Sequence, residues 1–401
     1  MNAFERKSAF TLSIILALRM LGLFMALPLF SLYALHLKNA SPQLVGLAIG
    51  VYGLTQALFQ IPLGTSSDYF GRKKVITLGL LLFVSGSILI ALSTSIQWVI
   101  VGRALQGAGA IGSTVIALLS DLIREDERGK AIAFIGMTIG ISFSSALILG
   151  PTLMPWIGFN GIFWLAALFG LIALYLLHTA VPNPASLPQR QKLPMRSTFL
   201  LALLNRDLIH LYFGIFILHF IFTANFMALP LHLKNFIHLA GNHQWHIYLP
   251  ALILGFCLSI FFIVIAEKKR KIKMTFFIAV TFICAANILL CLVTTHIAAY
   301  LLAMLLFFTG FSTLEALLPS TVSRLALSTN KGSALGIYSC SQFSGIFVGG
   351  LAGGWLIGHD GTTSVYLVSL ILGMLWMLTL FGMKKLKSPQ AVSSSPASSG
   401  L

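Results

Sequence analysis

Charge is what this chain has least of. Only 9% of its 401 residues are Asp, Glu, Lys or Arg while 57% are hydrophobic, and soluble globules carry about a quarter charged residues. So little charge cannot cover a water-soluble domain of this size, which excludes a soluble enzyme or regulator. Acids are scarcer still, 10 against 26 Lys and Arg, for a formal net charge of +16. That excess does not mark a nucleic-acid binder, which gathers its cations on one face of a soluble domain. Here they fall in short polar breaks between apolar runs, where they set topology and attract anionic lipid headgroups.

Cysteine is nearly as rare. Cys257, Cys284, Cys291 and Cys340 lie inside apolar runs without metal-ligand spacing and read as small core hydrophobes. Neither a disulfide framework nor a metal centre is expected. The chain also lacks a nucleophile–base pair and a phosphate-cradling loop, so no enzyme activity and no cofactor are expected. A membrane enzyme or a non-transporting sensor is the remote alternative. The first apolar run, after Glu5-Arg6-Lys7, is too long for a signal-peptide core and has no small-residue cleavage site. It reads as a retained first helix.

Long apolar runs are what the sequence has in abundance. A span needs about 20 residues, and twelve such helices are expected at 9–35, 43–66, 74–94, 97–120, 130–154, 158–180, 207–232, 245–266, 273–294, 297–319, 333–357 and 362–383. The fold class is therefore an all-α membrane protein. All but Arg19, Arg103, Lys38 and Lys234 of the 26 cations fall in the terminal segments and the loops alternating with them, which predicts both termini in the cytoplasm. Residues 1–180 form one six-helix bundle and 207–387 another, joined by a cytoplasmic linker at 181–206 that carries Pro182, Pro184, Pro188 and Pro194. The Ser-rich tail at 388–401 reads as disordered, and nothing globular is expected beyond the last helix.

The two bundles repeat each other. Phe-Met-Ala-Leu-Pro-Leu stands at Phe24 to Leu29 in the first helix and again at Phe226 to Leu231 in the seventh. Weaker echoes agree: Gly107 and Gly310 hold similar places in the fourth and tenth helices, and Glu267 to Lys271 repeats the acid-to-cation spacing of Asp68 to Arg72.

Between the second and third helices lies a polar hairpin containing Gly64, Asp68, Gly71, Arg72 and Lys73. It closely resembles the signature loop G-x-x-x-D-x-x-G-R-[RK] of the major facilitator superfamily, with Tyr69 where an Arg commonly follows the acid. Arg103-Ala-Leu-Gln106-Gly-Ala-Gly-Ala resembles that superfamily's second signature. In the fifth helix, Gly136-x-x-x-Gly140 and Gly150-Pro151 resemble the antiporter signature in part, since Leu153 and Met154 follow where relatives carry more glycine. Over nearly its whole length the chain is similar to the drug and proton antiporter branch. Some exporter-like members of that branch carry an extra cytoplasmic domain after helix twelve, which is not expected here.

The resemblance implies two pseudo-symmetric six-helix bundles, alternating access about a midplane site, and proton-coupled efflux of small, lipophilic molecules from a bacterium across its inner membrane. The proton gradient is the energy source; the partners are the small-molecule substrate, protons and the bilayer, the chain acts as a monomer, and no nucleic acid is involved. It further implies a conformational latch in which Arg72 pairs with Asp121 and Asp68 faces the start of helix eleven near Ser333, holding the cytoplasmic side closed. An alternative is a uniporter or proton symporter of a small metabolite anion, with Arg19 and Arg103 as the positive site.

An ionisable group inside hydrocarbon needs a partner or a job. Arg19, near the middle of the first helix, is a candidate for substrate or proton electrostatics, or else a structural pair. Arg103, with Gln106, is linked by the resemblance to proton transfer; a structural hydrogen bond to carbonyls is the plainer reading. His219 is a ready proton carrier by its chemistry or a hydrogen-bonded core histidine. Glu315, placed about one turn inside the cytoplasmic end of helix ten, is a coupling group or a latch partner of Arg324 or Lys331. No acid is expected at the centre of the membrane. Phe24, Met25, Gln56, Gln60, Phe226 and Met227 are candidates to line the cavity. The glycines of the fifth helix, and Gly345, Gly349, Gly350, Gly353, Gly354 and Gly358 of the eleventh, are expected to permit close packing.

Overall fold

The computed structural model describes residues 1–182, 195–292, 296–327 and 330–383. The described residues are helical nearly throughout, with one isolated bridge between Lys38 and Ser95 in place of any strand. The first half contains α1 (Ala3–Phe24), α2 (Leu27–Tyr33), α3 (Pro42–Phe70), α4 (Arg72–Leu92), α5 (Ile96–Ala108), α6 (Gly112–Leu122) and α7 (Glu125–Thr179). After a short helix α8 (Met195–Leu203), the second half contains α9 (Arg206–Phe236), α10 (Trp245–Lys268), α11 (Ile272–Leu292), α12 (Ile297–Leu325), α13 (Lys331–Asp360) and α14 (Thr362–Gly382).

Local chemistry sets the boundaries. Asn2 and Glu5 cap each other's backbone at the start of α1, and Ser41 caps α3 just before Pro42. Gly71, at φ 95°, makes the turn from α3 to α4, a left-handed conformation that suits glycine. The predicted first helix is two, interrupted at Met25-Ala26 ahead of Pro28, where proline withholds an N–H. The predicted fourth is likewise two, parted at Gly109-Ala110-Ile111. The predicted fifth and sixth run together as α7, which at 55 residues is long enough to cross twice and turns at Gly158 (φ 69°). Eleven segments of the described residues are long and apolar enough to span, this double one among them.

Three further expectations need correction. Part of the predicted linker is helical, since α8 covers Met195–Leu203; residues 183–194 and the 388–401 tail lie outside the described residues. Helix ten runs on past Pro319 to Leu325, so Glu315 lies some ten residues inside its end, about 15 Å along the axis, and not one turn. A carboxylate therefore does stand deep in the helix bundle. Gly136 and Gly140 meet open space rather than a neighbouring helix. The close contact in α7 comes at Gly150, where a Cβ would sit 2.2 Å from the Met25 carbonyl oxygen.

The N-terminal amine reaches Glu127 and Lys273 reaches the Met383 carbonyl, which puts the start of α1 and the end of α14 at one end of the bundle with the cationic loops. The halves meet along α3 and α13. A Cβ on Gly46 would stand 2.3 Å from the Gly350 oxygen, and one on Gly50 would stand 2.6 Å from that of Phe347. Another row of the same glycine stripe, Gly345, Gly349 and Gly353, abuts α9. At the end away from the termini, α2 packs on α9, and Met227 of α9 and Ile357 of α13 join a core otherwise built from first-half residues. At the terminus-bearing end, by contrast, the apolar core around Leu12, Ile76, Val115 and Leu119 is built from first-half residues alone, and among the described residues α6 and α12 form no comparable interface. The bundle is closed at the far end.

Candidate functional site

The sequence places two cations inside the first half, and the fold brings them to one tyrosine. Arg19 on α1 is wholly buried; its Nη2 donates to Gln56 Oε1 at 3.0 Å and lies 3.5 Å from the Tyr52 hydroxyl. Its Nε and Nη1 have no hydrogen-bond partner in the structure. Arg103 on α5 lies with its guanidinium 4.8 Å from the centre of the Tyr52 ring and 5.3 Å from that of Phe30. It donates to Gln106 Oε1 at 2.9 Å, and Gln106 in turn donates to Ser87 Oγ at 2.8 Å. Gln56 continues the line by donating to Gln60 at 3.4 Å. The result is a polar seam through α1, α3, α4 and α5 that holds two cations and no carboxylate. Burying a charge with incomplete hydrogen bonding costs several kcal/mol, so the seam is costly by construction.

The second half holds the opposite arrangement. His219 of α9, Glu315 of α12 and Gln342 of α13 converge: the Gln342 amide donates at 2.9 Å to His219 Nε2 and at 3.1 Å to Glu315 Oε1. His219 Nδ1 lies 3.3 Å from the Ile215 carbonyl. Donor counting then fixes the imidazole, with the proton on Nδ1 directed to Ile215 and Nε2 accepting from Gln342. Glu315 Oε2 is 3.7 Å from His219 Nε2, itself shielded and without a hydrogen-bond partner, while the Glu315 side chain as a whole is 39% exposed. Arg324, one of its expected partners, instead clasps Glu267 at 2.5 and 2.6 Å.

Around this trio runs an aromatic chain. Phe311 stacks on Phe222 at 4.8 Å and packs 5.8 Å from His219, while Phe222 meets Phe226 at 4.6 Å. The chain crosses between halves through Phe143, 5.9 Å from Phe222 and 4.9 Å from Phe24. Phe24 is partly accessible, whereas Met25, Phe226, Met227 and Gln56 are almost completely buried, and Gln60 nearly so.

At the terminus-bearing end Arg72 sits between two acids, its Nε 3.0 Å from Asp121 and its Nη1 2.5 Å from Asp68, with Ser67 at 2.6 Å. Asp68 is about half exposed. A separate clasp joins Glu5 to Arg124 at 2.9 Å, and it holds the Arg124 guanidinium above its ordinary range.

The sequence reading missed Gln342 and Tyr52, the two residues that tie these groups together. A signal for Gln342 was present: it is the one large polar side chain in the glycine-rich run of α13 between Tyr338 and Leu356. Also missed was a buried amide network in which Asn225 donates to Asn287 at 2.9 Å and accepts from Ser369 at 3.0 Å, binding α9, α11 and α14.

Residues 12–350 match the sequence profile described as Major Facilitator Superfamily. The chain belongs to the major facilitator superfamily. It is 41% identical over 391 residues to the inner membrane transport protein YajR of Escherichia coli (strain K12), covering 97% of this chain and 85% of that one. It is 36% identical to the uncharacterized transporter BU466 of Buchnera aphidicola subsp. Acyrthosiphon pisum (strain APS), over 87% of this chain and 90% of the relative. Among solved structures, a bacterial homolog of the human lysosomal transporter Spinster, inward-facing and occupied, aligns with TM-score 0.77 at 13% identity, over 97% of this chain and all of that one. A point mutant of the nucleoside transporter NupG aligns with TM-score 0.76 at 14% identity, over 94% of this chain and all of that one. The molecule is accordingly a multi-pass membrane transporter of the superfamily and not an enzyme, with the all-helical, two-bundle fold of its relatives.

Proposed function

We propose that this transporter exports small, lipophilic molecules in exchange for protons by alternating access, across a bacterial inner membrane with both termini in the cytoplasm. The observation that carries the proposal is the Gln342 amide shared between His219 and Glu315 at mid-depth, on three helices of one half and beside an aromatic chain that reaches the other. An amide so placed is a sensor of protonation. With His219 neutral, Nε2 accepts from Gln342. A proton arriving on Nε2 turns that acceptor into a donor, so the Gln342 hydrogen bond is lost and the new N–H faces the unpartnered Glu315 Oε2, 3.7 Å away. An imidazolium and a carboxylate then attract across the site, leaving Gln342 held by Glu315 Oε1 alone and loosening the register of α13 against α9. Because α13 also carries the glycine seam with α3, a change there is passed to the contact between halves.

The substrate assignment rests on Phe222, Phe311, Phe143 and Phe24, which offer apolar faces without a fixed hydrogen-bonding pattern. The latch residues Asp68, Arg72 and Asp121 control the terminus-bearing end. The chain works as a monomer, with the proton gradient as its energy source.

A second reading, transport of a small metabolite anion, is favoured by Arg19 Nε and Nη1, which lack partners. Proteoliposomes with an imposed pH gradient separate the two. Lipophilic cations or neutral drugs that drive proton movement, and lose it in Glu315→Gln, support exchange. Substrate flux without proton movement, or flux of anions alone, overturns it.

A further inference from the structure

At the terminus-bearing rim of the first half, α4 and the end of α7 border an open recess of about 470 Å³ lined by Lys73, Lys74, Thr77 and His178. Three of its four polar side chains are held in place, and Lys74 is exposed beside them. Lys73 Nζ donates to the Val181 carbonyl at 2.8 Å, leaving two of its three protons unspent. The Thr77 hydroxyl donates to the Lys73 carbonyl at 2.8 Å, so it accepts from His178 Nε2 at 3.0 Å and fixes the imidazole at the recess wall. Neither lysine pairs with a carboxylate among the described residues. Toward the centre of the bundle the same two helix faces turn apolar and stay open. Leu78 and Leu81 follow Lys74 at helical spacing, 50% and 47% exposed, and Tyr175 and Leu171 precede His178, 68% and 50% exposed.

The second half supplies an internal comparison. Lys273, the counterpart of Lys73, donates to the carbonyls of Phe381 and Met383 in the same way. That clasp of the bundle's last helix is therefore common to both halves. What differs is the surplus. Beside Lys273 stands Met274 where the first half has Lys74. Gly170 packs on Val84 of α4 as Gly373 packs on Cys284 of α11, and matching those two glycines sets Phe381 where the first half has His178. The clasp does not explain Lys74 and His178.

We infer that the Lys73–Lys74–Thr77–His178 recess is a binding site for the phosphate headgroup of an anionic phospholipid, whose acyl chains run along Leu78, Leu81, Tyr175 and Leu171. A phosphate needs cations and donors, which the rim provides. A free phosphate would have no use for the apolar track beneath, whereas a lipid requires both in this order. Basic pockets between membrane helices recognise anionic headgroups by this physics.

The test uses the purified full chain in nanodiscs of phosphatidylglycerol or of phosphatidylcholine with matched acyl chains. Phosphatidylglycerol should slow labelling of Lys74 by an amine-reactive reagent relative to phosphatidylcholine, and native mass spectrometry should find it retained in preference. Lys74→Met should reduce that preference about fivefold, the weight of one interfacial charge, with a further loss on adding His178→Leu. Met274→Lys should create a weaker preference in the second half. Equal labelling of Lys74 in the two lipids, or an unchanged preference in the double variant, overturns the site. Protection of Lys74 by inorganic phosphate alone, equal to that by the lipid, overturns the lipid assignment.

Discussion

Arg19 and His219 lie at similar depths in two helices that share the segment Phe-Met-Ala-Leu-Pro-Leu, yet each has only an apolar residue at its counterpart, Ile221 and Ala17 respectively. The first half carries its polarity as fixed positive charge: Arg19 and Arg103, joined through Tyr52 and shielded from solvent. The second carries titratable groups, His219 and Glu315, joined by a neutral amide. The third helices make the same contrast. Ser87 in α4 serves the Arg103–Gln106 line, while Asn287 in α11 belongs to a neutral network with Asn225 and Ser369. A duplicated scaffold thus carries fixed positive charge in one half and a pair of titratable side chains in the other.

The most severe way to break that division is to remove the half that titrates. Glu315→Gln keeps a hydrogen-bonding side chain of the same shape but removes the carboxylate that draws a proton onto His219, and substrate-driven proton flux in proteoliposomes should fall by about a hundredfold, the scale of one positioned proton-transfer group. Gln342→Leu should reduce coupling less, because His219 and its Glu315 countercharge both remain while the link between protonation and α13 is cut. Substrate flux and proton flux would then part company, which a paired measurement of the two rates detects. Full coupling in Gln342→Leu would mean that the amide is structural only.

The fixed charges make a second comparison, this time within one half. Arg103 has Gln106, the Ala48 carbonyl and two aromatic rings, whereas Arg19 has Gln56, a long contact to Tyr52 and one ring, Phe83, at 5.7 Å. Arg103→Met should cost about 2 kcal/mol by leaving Gln106 Oε1 unpaired. Arg19→Met removes a buried cation with two unsatisfied nitrogens and should leave stability unchanged or raise it by about 1–2 kcal/mol. Thermal unfolding of the two variants in the same detergent orders them. If Arg19→Met proves the more stable protein and the poorer transporter, the charge is kept for function against its own energetic cost.

How much of this was legible in the sequence depends on what kind of residue carried the signal. The helices, the halves and their repeat follow from apolar run length and from one six-residue identity, because spanning a bilayer leaves the chain little choice. Depth within a helix was less secure. Pro319 reads as a stop, so Glu315 was placed near an end, whereas α12 accommodates the proline and continues to Leu325. Partnership was least legible: Glu315 has cations nearby in sequence, but Arg324 is turned to Glu267 and the true neighbours come from α9 and α13. Spacing within one helix cannot reveal a contact among three.

Glycine shows the same limit and yields the mildest test. Gly136 and Gly350 look alike in sequence, each in a small-residue pattern of a membrane helix. In the fold, a Cβ on Gly350 would stand 2.8 Å from the Gly46 carbonyl oxygen and 2.9 Å from the Gly50 nitrogen, while one on Gly136 meets nothing within 4 Å. Gly350→Ala should therefore force α3 and α13 apart and cost about 1–3 kcal/mol, with transport impaired because that seam joins the halves. Gly136→Ala should instead gain about 0.5–1 kcal/mol from helix propensity and the stiffer unfolded chain, with transport intact. Equal destabilisation by both would return Gly136 to a packing role, in a state of the transporter where α7 meets a neighbour that it does not touch in this one.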